Sequence, residues 1–240
     1  VRASAVRDGD GWRLTGTKIW TSHAHRAHYL VALCRTSPAS EEDRRSGLSQ
    51  FIVDLRAPGV TVNPVRLLDG EHHFNEVVLD DVAVPASMVL GRIGAGWEQV
   101  TAELVYERSG PERFLSVFPL LRELVRSAQD NHDVRALSAL GRLTAELITL
   151  RQLSVRIAAA LDRGESPAVA AALVKDLGTR FENEVIDVGR VVAGVEPSLG
   201  SADPLARTLA EAVLHSPGFT LRGGTNEILR GIAARGLGLR

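Results

Sequence analysis

The chain has 240 residues, of which 45% are hydrophobic and 24% charged, and its formal net charge is -1. Such a composition is typical of a globular protein with enough apolar surface for a core, and it excludes extended disorder. A charge this close to zero argues against a dedicated binder of nucleic acid or of membrane surfaces, because such proteins carry a basic excess.

Cys34 is the single cysteine, so the chain can form neither an intramolecular disulfide nor a cysteine zinc cluster. This usage is typical of a reducing compartment, and we expect a cytoplasmic protein. No apolar run approaches the roughly 20 residues that span a bilayer. We therefore expect no membrane span and no nucleic-acid partner.

The first 94 residues contain short runs rich in β-branched and aromatic residues, separated by Gly, Asp and Pro. Such runs are typical of strands. Asp8-Gly9-Asp10-Gly11 predicts a hairpin turn, because Gly tolerates positive φ and Asp stabilises turns with its side chain. The predicted strands are Ala3–Arg7, Trp12–Thr15, Thr17–Thr21, Tyr29–Arg35, Ser49–Asp54, Val60–Arg66, Asn75–Val84 and Met88–Leu90.

From about residue 95 the apolar spacing changes to three and four, which indicates amphipathic helices. Four long helices and two shorter ones are predicted. Gly110-Pro111 and Gly164 should end the first and third helices, and Ser166 should cap the fourth. The predicted apolar faces are Trp97, Val100, Leu104 and Val105; Phe114, Val117, Phe118, Leu121, Leu124 and Val125; Leu137, Leu140, Leu143, Leu147, Leu150, Leu153, Ile157 and Leu161; and Val169, Leu173, Leu177, Phe181, Val185, Val188 and Val192. The shorter helices are Pro204–Leu214 and Asn226–Arg235.

The order of elements is thus a β domain followed by an α-helical domain. Without βαβ alternation, a doubly wound nucleotide-binding fold is excluded. Long helices joined by short loops predict an antiparallel four-helix bundle. The predicted domains are 1–94 and 95–240.

Five histidines raise the question of a metal site, because closely spaced imidazoles are common ligands. Their spacing does not support one: on a strand, His23 and His25 share a face but His28 does not. Surface or loop histidines are the better interpretation, and we predict no metal site. These five histidines are His23, His25, His28, His72 and His73.

The segment Trp20-Thr21-Ser22 places an aromatic side chain before two hydroxyls, just past the predicted hairpin. This combination can cover a flat aromatic cofactor and donate hydrogen bonds to its ring heteroatoms. The alternative is an edge-strand tryptophan followed by turn residues.

Tyr106-Glu107-Arg108 lies one turn before the predicted helix end at Gly110. A carboxylate that is partly buried there would have a raised pKa and could act as a base. The alternative is an ordinary Glu-Arg surface pair.

The segment from Leu221 to Arg230 contains Gly223-Gly224 followed by Thr225, a good helix N-cap. The two glycines allow close approach of backbone amides, and the helix start presents free N–H groups to an anion. A plain junction between loop and helix is the alternative.

The ordered set of these segments resembles the flavin-dependent acyl-CoA dehydrogenase family over essentially the whole chain. Each motif is weakly specific, whereas the set in this order is strongly so. The matching stretches are Asp10–Lys18 (DGWRLTGTK), Phe74–Pro85 (FNEVVLDDVAVP), Gly94–Trp97 (GAGW), Gly223–Ile228 (GGTNEI) and Ile232–Leu239 (IAARGLGL).

The resemblance implies an α+β multidomain protein, with an antiparallel β-barrel-like middle domain followed by an all-α antiparallel four-helix bundle. It also implies FAD as cofactor and an acyl-CoA thioester as substrate. The flavin contacts implied are Trp20 on the ring and Thr21 and Ser22 at its N5 edge. Thr225 and Glu227 match positions that contact the ribose and phosphate region of FAD.

Many members of the family have a catalytic glutamate directly before the Gly-Thr pair, where this chain has Gly223. A second group has its glutamate on the first bundle helix, directly before an arginine, and Glu107-Arg108 matches that pattern. The resemblance therefore implies that Glu107 is the base and that Gly223 and Arg108 contact substrate. In this scheme Glu107 removes the α-proton, FAD takes the β-hydride, and the Gly223 N–H stabilises the thioester oxygen.

The resemblance further implies electron transfer to an electron-transfer flavoprotein and a homodimer, homotetramer or mixed assembly with a related subunit. Two family segments that touch FAD, Arg-x-x-Phe-Gly and Gln-x-x-Gly-Gly-x-Gly, are not found. A catalytically silent partner subunit is therefore one alternative, and an acyl-CoA oxidase on the same scaffold is another. The family also has an N-terminal helical domain that this sequence lacks, so we expect the chain alone to bind FAD and substrate weakly.

Overall fold

The computed structural model describes residues 1–239, apart from the side chains of residues 130 and 131. The chain divides into two compact units, Val1–Ala102 and the part from Glu103 onward. The first unit contains all seven strands and the second contains the helical core.

The strands of the first unit form one sheet in the order β5-β6-β2-β1-β3-β4-β7. The pairs are antiparallel except that of β1 with β3, which meet in parallel at Ser4 and Arg35. This confirms the predicted β content of the first unit. The strands are β1 (Ser4–Asp8), β2 (Gly11–Ser22), β3 (Tyr29–Arg35), β4 (Leu48–Asp54), β5 (Val60–Val65), β6 (Phe74–Pro85) and β7 (Val89–Leu90).

Two of the predicted strands form the single strand β2, which continues through Gly16 with an irregular register. Gly16 has φ +145°, and a Cβ there would lie 2.6 Å from the Cα of Ala3. Only glycine allows the backbones to approach so closely. The sheet core consists of alternating buried residues such as Leu14, Phe51 and Val77.

The helices are α1 (Gly96–Ser109), α2 (Phe118–Asn131), α3 (Val134–Asp162), α4 (Ala168–Val192), α5 (Pro204–Phe219) and α6 (Asn226–Gly236). As predicted, α1 ends before Gly110-Pro111 and α3 ends before Gly164, which has φ +77°. The N-cap of α4 is Pro167 rather than the predicted Ser166.

The helical core is built by α2, α3, α4 and α5, with none of its buried members on α1. The prediction that the first four helices form the bundle is therefore wrong in this respect, because α5 takes the place of α1. The predicted face of α4 is also partly wrong. Leu173 and Leu177 are exposed, whereas Lys175 and Glu182 on the same helix are buried.

Within the described part of the chain, no helix combines the length and the apolarity that crossing a bilayer requires.

Candidate active site

Trp20, Thr21 and Ser22 close β2 at a point where its register with β6 is irregular, between Lys18 and Thr21. Trp20 has φ +63°, a rare backbone conformation for a bulky residue, and its side chain is 58% exposed. Its ring meets Phe74 edge to face, with centroids 5.7 Å apart. A β-bulge redirects side chains, and residues with rare backbone conformations such as that of Trp20 are common at ligand-binding sites. The structure thus presents Trp20 on the surface of the sheet unit.

Asn75, which was not predicted as a site residue, lies directly beside this segment and is fully buried. Its Nδ2 donates to the backbone oxygen of Thr21 at 3.0 Å. Its Oδ1 accepts from His25 Nδ1 at 3.2 Å and from His72 Nε2 at 2.7 Å. Asn75 therefore connects two imidazoles to the backbone of the Trp20 bulge.

Four of the five histidines form two ring pairs beside Asn75. His25 stacks on His72 with centroids 3.9 Å apart, and His23 meets His73 edge to face at 4.1 Å. Partial desolvation, followed by the neighbouring His72, lowers the pKa of His25. The strand register could have revealed this grouping, since Ser22 at the end of β2 pairs with Phe74 at the start of β6, and the histidines lie just beyond these two residues.

Glu107 lies near the end of α1, and its side chain is 42% exposed. The carboxylate is held by Arg113, whose Nη2 lies 2.7 Å from Glu107 Oε1. The Nε of Arg113 donates to the Glu107 backbone oxygen at 2.9 Å.

The glycine segment lies next to the same guanidinium. Gly223 has φ +66°, and a Cβ there would lie 3.3 Å from Lys175 Cε and 3.4 Å from Arg113 Cζ. Arg108 donates from Nε to the Gly223 backbone oxygen at 3.1 Å. The structure therefore brings together three predicted residues of the helical unit, Glu107, Arg108 and Gly223.

A buried polar cluster supports this segment from α4. Lys175 is fully buried, and its ammonium donates to the hydroxyl of Thr179 and to the backbone oxygen of Phe219. Burial, with the charges of Arg222 and Arg113, lowers the pKa of Lys175 to about 8. A signal in the sequence was available, because Lys175, Thr179 and Glu182 follow helical spacing.

Glu182 is also fully buried and binds Arg222, the residue before Gly223. Burial raises the pKa of Glu182 even though Arg222 opposes that shift. In the described part of the chain, the Nε of Arg222 is buried and has no hydrogen-bond partner. Such an unpaired donor is compatible with a polar ligand group near this loop.

Thr225 is the N-cap of α6, as predicted, although its side chain makes no capping hydrogen bond. The pKa of Glu227 is lowered by two hydrogen bonds to its carboxylate, one from the backbone N–H of Glu227 itself and one from the hydroxyl of Thr225. The neighbouring Asn226 donates to Asp176 on α4 at 2.8 Å. These contacts fix the start of α6, where backbone N–H groups face outward along the helix axis.

The comparisons with known proteins agree on one family. Residues 1–82 match the family model of the acyl-CoA dehydrogenase middle domain, and residues 94–238 match that of the acyl-CoA dehydrogenase C-terminal domain. Two relatives from Mycobacterium tuberculosis, acyl-CoA dehydrogenases FadE34 and FadE29, are each 34% identical to the chain. Each alignment covers 99% of the chain, but 32% of the length of FadE34 and 63% of that of FadE29.

Among solved structures, the Tcur3481-Tcur3483 steroid ACAD in its G363A variant superposes with a TM-score of 0.86 and 29% identity. That match covers 100% of this chain and 64% of the other. The predicted fold class, a β domain followed by helices, is thereby confirmed. With both family models matched along nearly its whole length, the chain belongs to the acyl-CoA dehydrogenase family.

Proposed function

We propose that the protein carrying this chain catalyses the α,β-dehydrogenation of an acyl-CoA thioester, with Glu107 as the base. One observation carries the proposal. Glu107 and Gly223 lie beside the same guanidinium, that of Arg113, although they are far apart in sequence. A glutamate at position 107 or at position 223 could reach the same α-carbon of the substrate. This chain has its carboxylate at Glu107.

The proposed base is suited to the removal of a proton. Arg113 and the partial exposure of the side chain keep a carboxylate available rather than sequestered in the core. Arg113 holds Oε1, and we assign Oε2 to the α-proton of the thioester. A base must come within hydrogen-bond reach of the proton it removes, so its placement decides the rate.

The developing negative charge on the thioester oxygen needs a fixed donor, and we assign the backbone N–H of Gly223 to that role. The loop is held on both sides of this residue. Arg108 binds the Gly223 carbonyl, and Glu182 binds the side chain of Arg222. A donor that is already positioned stabilises charge without reorganisation during the reaction.

The residues present fit FAD as the cofactor. Trp20 is exposed on a bulge, which suits a flat ring, and Thr21 and Ser22 follow it with hydroxyls. Thr225, Glu227 and the start of α6 are the proposed contacts for the ribose and phosphate region. When bound, FAD supplies the acceptor for the hydride from the β-carbon.

Family membership supports an electron-transfer flavoprotein as the electron-accepting partner. A mixed assembly is the proposed quaternary state, because the name Tcur3481-Tcur3483 joins two components in a similar structure. The catalytically silent subunit and the oxidase are the alternatives. A purified protein that stays colourless after its partner has been removed and FAD has been added favours the silent subunit, and peroxide formation during turnover favours the oxidase.

Reduction by substrate tests the base. The purified protein, loaded with FAD, is mixed with a panel of acyl-CoA thioesters while the flavin absorbance is followed. We expect Glu107→Gln to retain the flavin and to lose bleaching by about 100-fold or more, because no carboxylate remains to take the proton. Glu103→Gln, one turn earlier on α1, is the matched control and should bleach normally. Normal bleaching in Glu107→Gln contradicts the proposal.

Flavin content tests the cofactor site. Trp20→Ala should lower the affinity for FAD about tenfold, because an aromatic stacking surface is lost. Tyr29→Ala removes an aromatic side chain of similar exposure from β3 and serves as the control. Equal flavin affinity in the two variants would remove Trp20 from the site.

A further inference from the structure

We propose that Arg113 is the positioning residue of the base: its guanidinium binds the carboxylate and the backbone carbonyl of Glu107 at once. This inference rests on the proposed function, because it assigns a role through Glu107. Arg113 itself touches neither the thioester nor its α-carbon in this scheme.

The two contacts fix both ends of residue 107. Nη2 of Arg113 lies 2.7 Å from the carboxylate Oε1, and Nε lies 2.9 Å from the backbone oxygen. The Arg113 side chain is 10% exposed, whereas that of Glu107 is 42% exposed. A buried, planar donor thus anchors an exposed carboxylate, and the two N–H directions determine where Oε2 points.

The chain returns to Glu107 because α1 stops abruptly. Gly110 is extended, with φ −65° and ψ 153°, and Pro111 begins a 3-10 turn that ends at Arg113. Pro111 cannot continue the hydrogen-bond ladder of α1. This break brings residue 113 back to the carbonyl at the end of the helix.

The charges around Arg113 favour its orientation toward Glu107. Glu112 is a second carboxylate, but its Oε1 lies 3.8 Å from Arg113 Nε and its side chain is exposed. Lys175 on α4, Arg108 on α1 and Arg222 in the glycine loop are the cations of this region, and buried Glu182 is bound by Arg222. Lys175 and Arg113 repel each other, and Glu107 provides the close counter-charge.

Arg113 also occupies space that matters for the alternative base position. Its Cζ lies 3.4 Å from where a Cβ at Gly223 would be. A side chain at 223 would therefore meet the guanidinium that holds Glu107. The guanidinium that holds the base at Glu107 therefore has room because residue 223 is a glycine.

Exchange of the substrate α-proton with deuterated water provides a readout of the base that does not require flavin reduction. It is measured by NMR on an acyl-CoA thioester with the FAD-loaded protein, alongside kcat and KM. We expect Arg113→Met to lower both kcat and exchange by about 10- to 100-fold, because a base displaced by 1 Å loses that much. KM should change by less than about threefold, since Arg113 is not a substrate contact.

Arg113→Lys keeps the charge but cannot bind two acceptors in one plane, so it should restore only part of the lost exchange. Glu112→Gln is the matched control, because it removes the longer ion pair of Arg113 and leaves Glu107 untouched. Its exchange rate should stay within about twofold of the wild type.

A double-mutant cycle separates positioning from structural damage. If Arg113 acts through Glu107, then Arg113→Met adds no further loss to the residual exchange of Glu107→Gln. A further loss of tenfold in the double variant, or normal exchange in Arg113→Met, overturns the inference. Normal exchange and bleaching in Glu107→Gln instead overturn the proposed function, so the two failures are distinguishable. If Arg113→Met does not fold, Arg113→Lys is compared with the wild type in the same cycle.

Discussion

Arg222 binds both carboxylate oxygens of Glu182, with its Nη2 2.8 Å from Oε1 and 2.7 Å from Oε2. Glu182 is fully buried, and its Oε1 also accepts the backbone N–H of Ser116 at 3.1 Å. This carboxylate connects α4, the segment before α2 and the loop that contains Gly223. Arg222 directly precedes Gly223, the proposed thioester contact, and its ion pair with Glu182 anchors this loop to the buried core.

Removal of that carboxylate should destabilise the helical unit. Glu182→Ala leaves the guanidinium of Arg222 without its buried counter-charge, and we expect a loss of about 3 kcal/mol in the free energy of unfolding. Urea unfolding followed by circular dichroism measures the change. Glu165→Ala removes an exposed partner of Arg163 and should lose less than about 1 kcal/mol. Similar losses in the two variants would contradict the buried role of Glu182.

Because Lys175 is buried, the free energy of unfolding should depend on pH in the alkaline range. Its folded pKa is about 8, below the ordinary value of 10.5, so the unfolded chain binds more protons between these two values. The free energy of unfolding therefore rises with pH across this window, by up to about 3 kcal/mol from this group. Lys175→Met should lack that rise. Parallel stability curves for the wild type and the variant from pH 7 to pH 10 would show the prediction wrong.

Asn75 should be important for the sheet unit. Asn75→Ala leaves the Thr21 carbonyl and two imidazole N–H groups without their partner, and we expect a loss of about 2 to 3 kcal/mol. Acrylamide quenching of Trp20 fluorescence should also change, because the backbone next to Trp20 is released. Asn63→Ala, which removes an exposed hydrogen bond to Glu76 on the neighbouring strand, is the control. Its stability should stay within about 1 kcal/mol of the wild type.

Any side chain at position 223 should lower the stability of the protein. Gly223→Ala places a Cβ on a backbone with φ +66° and within 3.5 Å of Lys175 and Arg113. Gly194 has almost the same φ, +65°, but has no neighbour within 4 Å of a Cβ. Gly194→Ala should therefore lose about 1 kcal/mol from backbone strain alone, and Gly223→Ala should lose more. Equal melting temperatures for the two variants would contradict a close contact at Gly223.

Local periodicity was sufficient to predict most of the elements. The apolar spacing over Leu140, Leu143 and Leu150 predicted α3, and all three residues are buried. The strand predictions also succeed where alternation is clear, as in β3 and β6. Periodicity was only partly correct for α4: Phe181 and Val185 are buried as predicted, but the buried face is wider and includes Lys175 and Glu182. A hydrophobicity pattern assigns such residues to solvent, whereas ion pairs and hydrogen bonds stabilise them in the core.

The candidate site was predictable only in part. The motifs around Trp20, Glu107 and Gly223 stand out from the residue types alone, since each combines groups that bind or react. Their roles in the reaction remain predictions. Arg113 and Asn75 were not predicted, because each acts through a partner that only folding brings near. The Asn75 contacts join segments about 50 residues apart.

The amino-acid sequence by itself determined the order of a β domain and an α domain, the ends of α1 and α3 and the segments that match the family. These features follow from short-range spacing and from residue chemistry. Only the tertiary structure decided that α5 replaces α1 in the helical core and that Lys175 and Glu182 are buried. It also decided that Arg113 binds Glu107 and lies next to Gly223. Such relationships depend on which surfaces exclude water together, and that is a property of the packed chain rather than of any one segment.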